Sequence, residues 1–287
     1  MVRKLLRAAL IAGVAITVAT PADATHAWGN YHWARAGMGA GSLALKVNKQ
    51  ITNVWTTSVN AAITDWNGRS VLSLTGQNAP TGTSAKRCSP ITGQILLCND
   101  SYGQRGWLGL ASITTDSSSH ITSGTTKLND SYFNTATYNK PEWRAMVACQ
   151  EIGHDFGLDH QNTTYDTPNV GSCMDYTNDP SALGAYGPLS NEHPNTHDYD
   201  ELVTIYNHLD SMTTAASLAA TNFGVRQVGH AVPQALPDPG NTAAEWGTPV
   251  HRDGKGRNDL FARPLPNGGK MLTHVFWALD AKGNEAN

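Results

Sequence analysis

The stretch VACQEIGHDFGLDHQN, residues 147–162, decides how the rest of the chain is read. It contains the pattern Q-E-x-x-H-x-x-G-x-x-H, running from Gln150 to His160. On a helix, residues four apart share a face, so Gln150 and His154 project together with Glu151 beside them. Gly157 permits the positive φ that ends a helix and turns the chain sharply. His160, three residues later, can swing back toward the same point. Three donors around a metal, with a fourth position open to water, form the geometry of a catalytic zinc site. Ala145, Cys149, Ile152 and Phe156 make an apolar stripe at helical spacing, and Trp143, Val147, Gln150 and His154 lie opposite it. The helix is therefore expected to bury one side and line a cleft with the other. Cys149 points away from His154, which suits a disulfide or a core role.

Working outward, the pattern predicts a helix from about Lys140 to Gly157, with Asn139 as cap and Pro141 in the first turn. An earlier helix is expected over Asn53–Asn67, where Trp55, Val59, Ala62, Ile63 and Trp66 recur at helical spacing and Asn53 can cap. Aromatic WGNYHWAR, from residue 28, suggests a first strand. SVLSLTG, GQILLCN, WLGLASITT and GTTKLND read as further short strands between Gly-, Ser-, Asn- and Asp-rich turns. Irregular chain to Asn195 precedes a closing helix carrying Leu202, Ile205, Tyr206 and Leu209. After Asp210 periodicity weakens. The tail then alternates like two or three strands joined at RDGKG and PNGGK. The expected organisation is a signal peptide at 1–24, a main domain at 25–210, a linker at 211–240 and a small β module at 241–287.

With 287 residues, 15% charged and a net charge of −3, the composition is that of an ordinary globular protein, with no basic excess for nucleic acid. MVRKLLR is basic, AALIAGVAITVA is apolar but short, and TPADATHA supplies small residues. That is the pattern of a secretory signal peptide, cut after Ala24 or, as second choice, Ala27. The protein is expected outside the cell, with no membrane span in its mature form. Cleavage at Ala24 leaves no room for a prodomain, so synthesis without a propeptide is expected. In an exported chain, four cysteines read as disulfides with three connectivities open. Cys88 and Cys98 bracket a hairpin-like segment. The expected set is Cys88–Cys98 with Cys149–Cys173.

EIGHDFGLDH, followed by SCMDY at 172–176, resembles the metzincin metalloproteases, whose zinc motif is followed by a methionine-containing turn. The layout is matrixin-like or astacin-like, and the resemblance covers roughly residues 28–210. It implies an α/β (α+β) fold with a short mixed sheet, an active-site helix, a Met-turn and a closing helix, to which the C-terminal β module is added. It implies that His154 and His160 are zinc ligands and Glu151 the general base. Gly157 would be the turn glycine, and Met174 an apolar floor beneath the metal. Tyr176 would touch the metal or steady the oxyanion. The implied activity is zinc-dependent hydrolysis of a protein or peptide substrate by a monomer.

Where the family has its first ligand histidine, this chain has Gln150. The expectation is that Gln150 serves as a weak ligand through its carbonyl oxygen. The alternative is a catalytically inactive metzincin-fold protein acting as an extracellular binding module. A carbohydrate-binding protein is a third class, for which only the aromatic HVFWAL strand speaks. His193 and His197 offer replacement ligands but read as capping or surface residues, and Asp159 reads as a loop residue. His120, His208, His230, His251 and His274 have no ligand-like partners at useful spacing and read as structural or exposed. The loops NDSYG and TTDSSSH permit structural calcium.

Overall fold

Trp55, Val59, Ala62, Ile63 and Trp66 lie on one face of α1 (Asn53–Trp66), and that face is buried. The computed structural model describes residues 26–36, 42–69, 71–216 and 236–280. The signal-peptide segment and most of the expected linker lie outside the described residues. The cap of α1 is Thr52, without a side-chain bond, and Asn53 is the first helical residue rather than the cap. The strands before and after it are β1 (Leu43–Gln50) and β2 (Leu72–Asn78), followed by β3 (Ile95–Asp100), β4 (Trp107–Thr115) and β5 (Ile121–Asn129). After the one-turn α2 (Asp130–Phe133) comes the central helix α3 (Pro141–His154). Pro141 suits its start because the first turn needs no N–H partner. Asn139 does not cap it; its amide oxygen accepts from Arg144 instead, and Lys140 takes the cap position. The closing helix α4 (Thr196–Ile205) begins with a reciprocal capping box between Asn195 and Asp198. The tail forms α5 (Ala243–Trp246), β6 (Thr248–Arg252), β7 (Asn258–Pro264) and β8 (Lys270–Trp277).

These strands make one mixed sheet in the order β2-β1-β3-β5-β4-β8-β7-β6. The pairings β1–β2, β1–β3 and β3–β5 are parallel, and those from β5 through β4, β8, β7 and β6 are antiparallel. The tail is therefore not a β module with a sheet of its own. The reason is visible in β4, every residue of which is buried. A strand covered on both faces leaves costly unpaired N–H and C=O groups at any bare edge, and β8 pairs with that edge from Trp107 to Thr114.

Helix α3 lies across β4, β5 and β8, with α1 packed beside it. Apart from Ala145, it is buried from Trp143 through His154, so the face expected to line a cleft is covered too. On the other side of the sheet, Trp107, Leu110, Phe261, Val275 and Trp277 pack with Trp246 of α5. That burial removes the aromatic strand on which the carbohydrate-binding reading stood. WGNYHWAR is not the first strand. It makes one isolated bridge, His32 with His120, next to that of the preceding Ala27 with Leu158, while Trp28 and Trp33 are drawn into the core. Both expected disulfides are present, Cys88–Cys98 and Cys149–Cys173. Among the described residues, no helix is long and apolar enough to cross a membrane.

Candidate metal centre

The last turn of α3 delivers His154, and the chain then reverses at Gly157, whose φ is +95°. A Cβ there would sit 2.2 Å from the carbonyl oxygen of Tyr31, so only glycine lets the N-terminal segment cross so closely. The reversal returns His160 to His154, with their Nε2 atoms 3.2 Å apart. The third member of the group comes from the tail. His274 on β8 is opposite Ala111 of β4 and stacks on His154, ring centroids 3.9 Å apart. One nitrogen from each of His154, His160 and His274 lies within 4.8 Å of the others. Trp28 covers the group, its ring centroid 4.5 Å from that of His274 and 5.9 Å from that of His154.

The outer nitrogens of these rings are oriented by the protein. His154 Nδ1 donates to the Leu158 carbonyl at 2.8 Å, which leaves the Nε2 lone pair facing His160. A carboxylate oxygen of Asp159 is 3.4 Å from both His160 Nδ1 and His274 Nε2, an ion-pair distance that is long for a hydrogen bond. This leaves His160 Nε2 and His274 Nδ1 as the atoms available to the interior. Burial pushes the pKa values of His154 and His160 down, so both rings are neutral donors. Burial works to raise the Asp159 carboxyl, but its contacts with His160 and His274 outweigh this and hold it well below the usual carboxylate range. Neutral imidazoles with carboxylate or carbonyl partners on their far nitrogens suit a borderline-soft ion such as Zn²⁺.

Glu151 is fully buried, and neither of its carboxylate oxygens has a hydrogen-bond partner. It lies against the backbone of Gly109 on β4, where an added Cβ would be 2.5 Å from Glu151 Oε1. Burial first, and then the nearby Asp155, push its pKa well above the ordinary range. Met174 is buried against α3 beside Gly153, and its N–H donates to the Ser172 hydroxyl. The Tyr176 ring packs on His160, with centroids 4.0 Å apart. Its hydroxyl donates to Asp259 on β7 at 3.1 Å.

The Gln150 amide nitrogen donates to the Cys173 carbonyl at 2.6 Å, while its buried carbonyl oxygen, the atom expected to act as a weak ligand, has no hydrogen-bond partner. The glutamine thus fastens α3 to the Met174 turn, and His274 supplies the third imidazole. His274 had read as structural or exposed, but it is 1% exposed. A signal for it exists: Leu272, His274 and Phe276 alternate at period two, which places His274 on a core-facing side of a strand. What no sequence spacing gives is that this strand pairs with β4. His193 is exposed and contacts Asp65, away from the three imidazoles, as its surface reading had it. No family model matches the chain, and no curated protein does either.

Proposed function

We propose that the chain is a secreted zinc-dependent endopeptidase of metzincin type whose metal is held by His154, His160 and His274. The observation that carries the reading is the meeting of three imidazoles, with Glu151, a buried acid without a hydrogen-bond partner, three residues before His154 on α3. A buried glutamate with no hydrogen bond is costly to fold, and such groups concentrate where chemistry needs them. A zinc ion held there would polarise a peptide carbonyl and lower the pKa of water from about 15.7 toward 7. Glu151 would take the proton of the attacking water and pass it to the leaving amine. Met174 and the Gln150–Cys173 bond keep the floor of the site fixed, and Asp159 sets a carboxylate beside two of the rings. The order β2-β1-β3-β5-β4 followed by α3, the Met174 turn and α4 is consistent with the resemblance in the sequence. The two disulfides are in keeping with an extracellular location.

One observation favours a second reading. His154, His160, His274 and Glu151 are all at most 8% exposed, as in closed metal sites that stabilise rather than catalyse. The second reading is an inactive, metal-stapled binding module.

The deciding experiment titrates zinc into the metal-stripped full-length protein beside His274→Ala and Gln150→Ala, and assays each for cleavage of denatured casein. The peptidase reading requires that His274→Ala weakens zinc binding at this site at least about 100-fold, since it removes a direct ligand rather than a supporting residue. It also requires that Gln150→Ala retains the metal and that a chelator abolishes cleavage. Zinc bound without cleavage favours the second reading. Zinc lost with Gln150→Ala but kept with His274→Ala overturns the ligand assignment.

A further inference from the structure

A second convergence of histidines lies away from the site already described, where the N-terminal segment, the β4–β5 hairpin and the chain after α4 meet. His32 Nε2 is 3.3 Å from Asp210 Oδ1, and His120 Nε2 is 3.5 Å from the same oxygen. His208 Nε2 is 3.6 Å from it and 3.0 Å from His32 Nε2. A tetrahedral zinc site with metal–donor bonds of about 2.0–2.1 Å has donor–donor edges of roughly 3.3–3.4 Å. The three edges among His32 Nε2, His208 Nε2 and Asp210 Oδ1, at 3.0, 3.3 and 3.6 Å, bracket that value.

The protonation pattern points the same way. His32 Nδ1 lies 2.9 Å from the Asn30 carbonyl, which can only accept, so Nδ1 carries the proton. His120 Nδ1 is 3.1 Å from the Asp116 carboxylate, so it too donates. Nε2 of each ring is left turned toward Asp210 Oδ1. The far-side carbonyl and carboxylate are the partners that orient metal-binding histidines. Asp116 is held in turn by the N–H groups of Ser118 and His120, so the TTDSSSH turn is used to aim His120.

We propose that His32, His208 and Asp210 form a second zinc-type site, with Nε2 of each imidazole and Oδ1 of Asp210 as ligands and a fourth position left to water. Such a site clamps the N-terminal segment to the chain after α4. Asp210 Oδ2 already accepts from the Arg35 N–H, and the Asp210 N–H donates to the Arg35 carbonyl. His120 Nε2 stands against the same carboxylate and helps to hold it in place.

The test is zinc titration and thermal melting of the full-length, metal-stripped protein, of His208→Ala, of Asp210→Asn, and of each combined with His274→Ala. The His208 side chain is 46% exposed, so its replacement leaves the fold intact even where Asp210→Asn weakens it. The expected result is two zinc ions per chain in the parent, one in His208→Ala and one in His274→Ala, with none in the double variant. Zinc should raise the melting temperature of His274→Ala and leave that of the double variant unmoved. If the His154 site binds nothing, the parent should still take up one ion that His208→Ala loses about 100-fold in affinity, so the two assignments fail separately. Zinc bound equally by the parent, His208→Ala and Asp210→Asn overturns the proposal.

Discussion

Glu151 and Asp175 carry the two expectations that belong to single residues. Replacing Glu151 by Gln keeps the shape and removes the proton acceptor. Hydrolysis should fall by about 10²–10⁴-fold while zinc uptake is retained, measured as kcat and metal stoichiometry on the same preparation. The melting temperature should hold or rise, because a neutral amide costs less to bury than a carboxylate without partners. Asp175 accepts from Asn162, Val170 and Asn191 and braces the turn that carries Met174. Burial nevertheless pushes its pKa up from 3.8. The folded chain then holds that proton more tightly than the unfolded one, so stability declines as pH rises from 3.8 through the folded value. Asp175→Asn should remove this decline above about pH 4, read from urea melts against the parent. It should also cost about 1–3 kcal/mol, since an amide –NH₂ would face groups that themselves donate.

Helix α3 is held to its surroundings mostly through its carbonyls and one covalent link. Cys149 bonds to Cys173, the Cys149 carbonyl accepts from the Trp66 indole, and Gln150 donates to the Cys173 carbonyl. The disulfide therefore fixes how far the Met174 turn stands from His154. Replacing both Cys149 and Cys173 by Ala should destabilise the protein by about 3 kcal/mol. Zinc affinity should weaken with it, because the turn is no longer tied to the helix that carries His154. Differential calorimetry with and without zinc separates the two effects. Strand β4 is the matching element on the other side of the site. Gly109 makes room there for Glu151, and Ala111 stands opposite His274.

At the scale of the molecule, the tail is part of the core. Truncation at residue 240 removes β6, β7 and β8, exposing the whole edge of β4 and withdrawing His274. The shortened protein should aggregate and take up no zinc at the His154 site, measured by light scattering and metal analysis. A separable module would leave a soluble, metal-binding remainder. The N-terminal segment is tied in similarly, through Trp28 over the three imidazoles, Trp33 donating to the Asp155 carbonyl, and the His32 cluster.

Local chemistry was legible in the sequence. The period of the Trp55–Trp66 face, Pro141 at a helix start, the Gly157 turn and the alternation of the tail strands each depend on neighbours within a few residues. So did the meeting of His154 with His160, which needs only a helix end and one positive φ. The bracketing of a short hairpin suggested Cys88–Cys98, and the second disulfide followed from it. Helix caps were read less well at Asn53 and Asn139, where flanking residues took the position. The third imidazole was not legible, because His274 lies 114 residues beyond His160 and meets it only through the β4–β8 pairing. The same holds for His32, which meets His208 and Asp210 only when the N-terminal segment folds back against the chain after α4. Strand pairing between distant segments is chosen by which edge must be covered and which face must be buried. That choice is a property of the assembled sheet, and here it decided what surrounds His154 and His160.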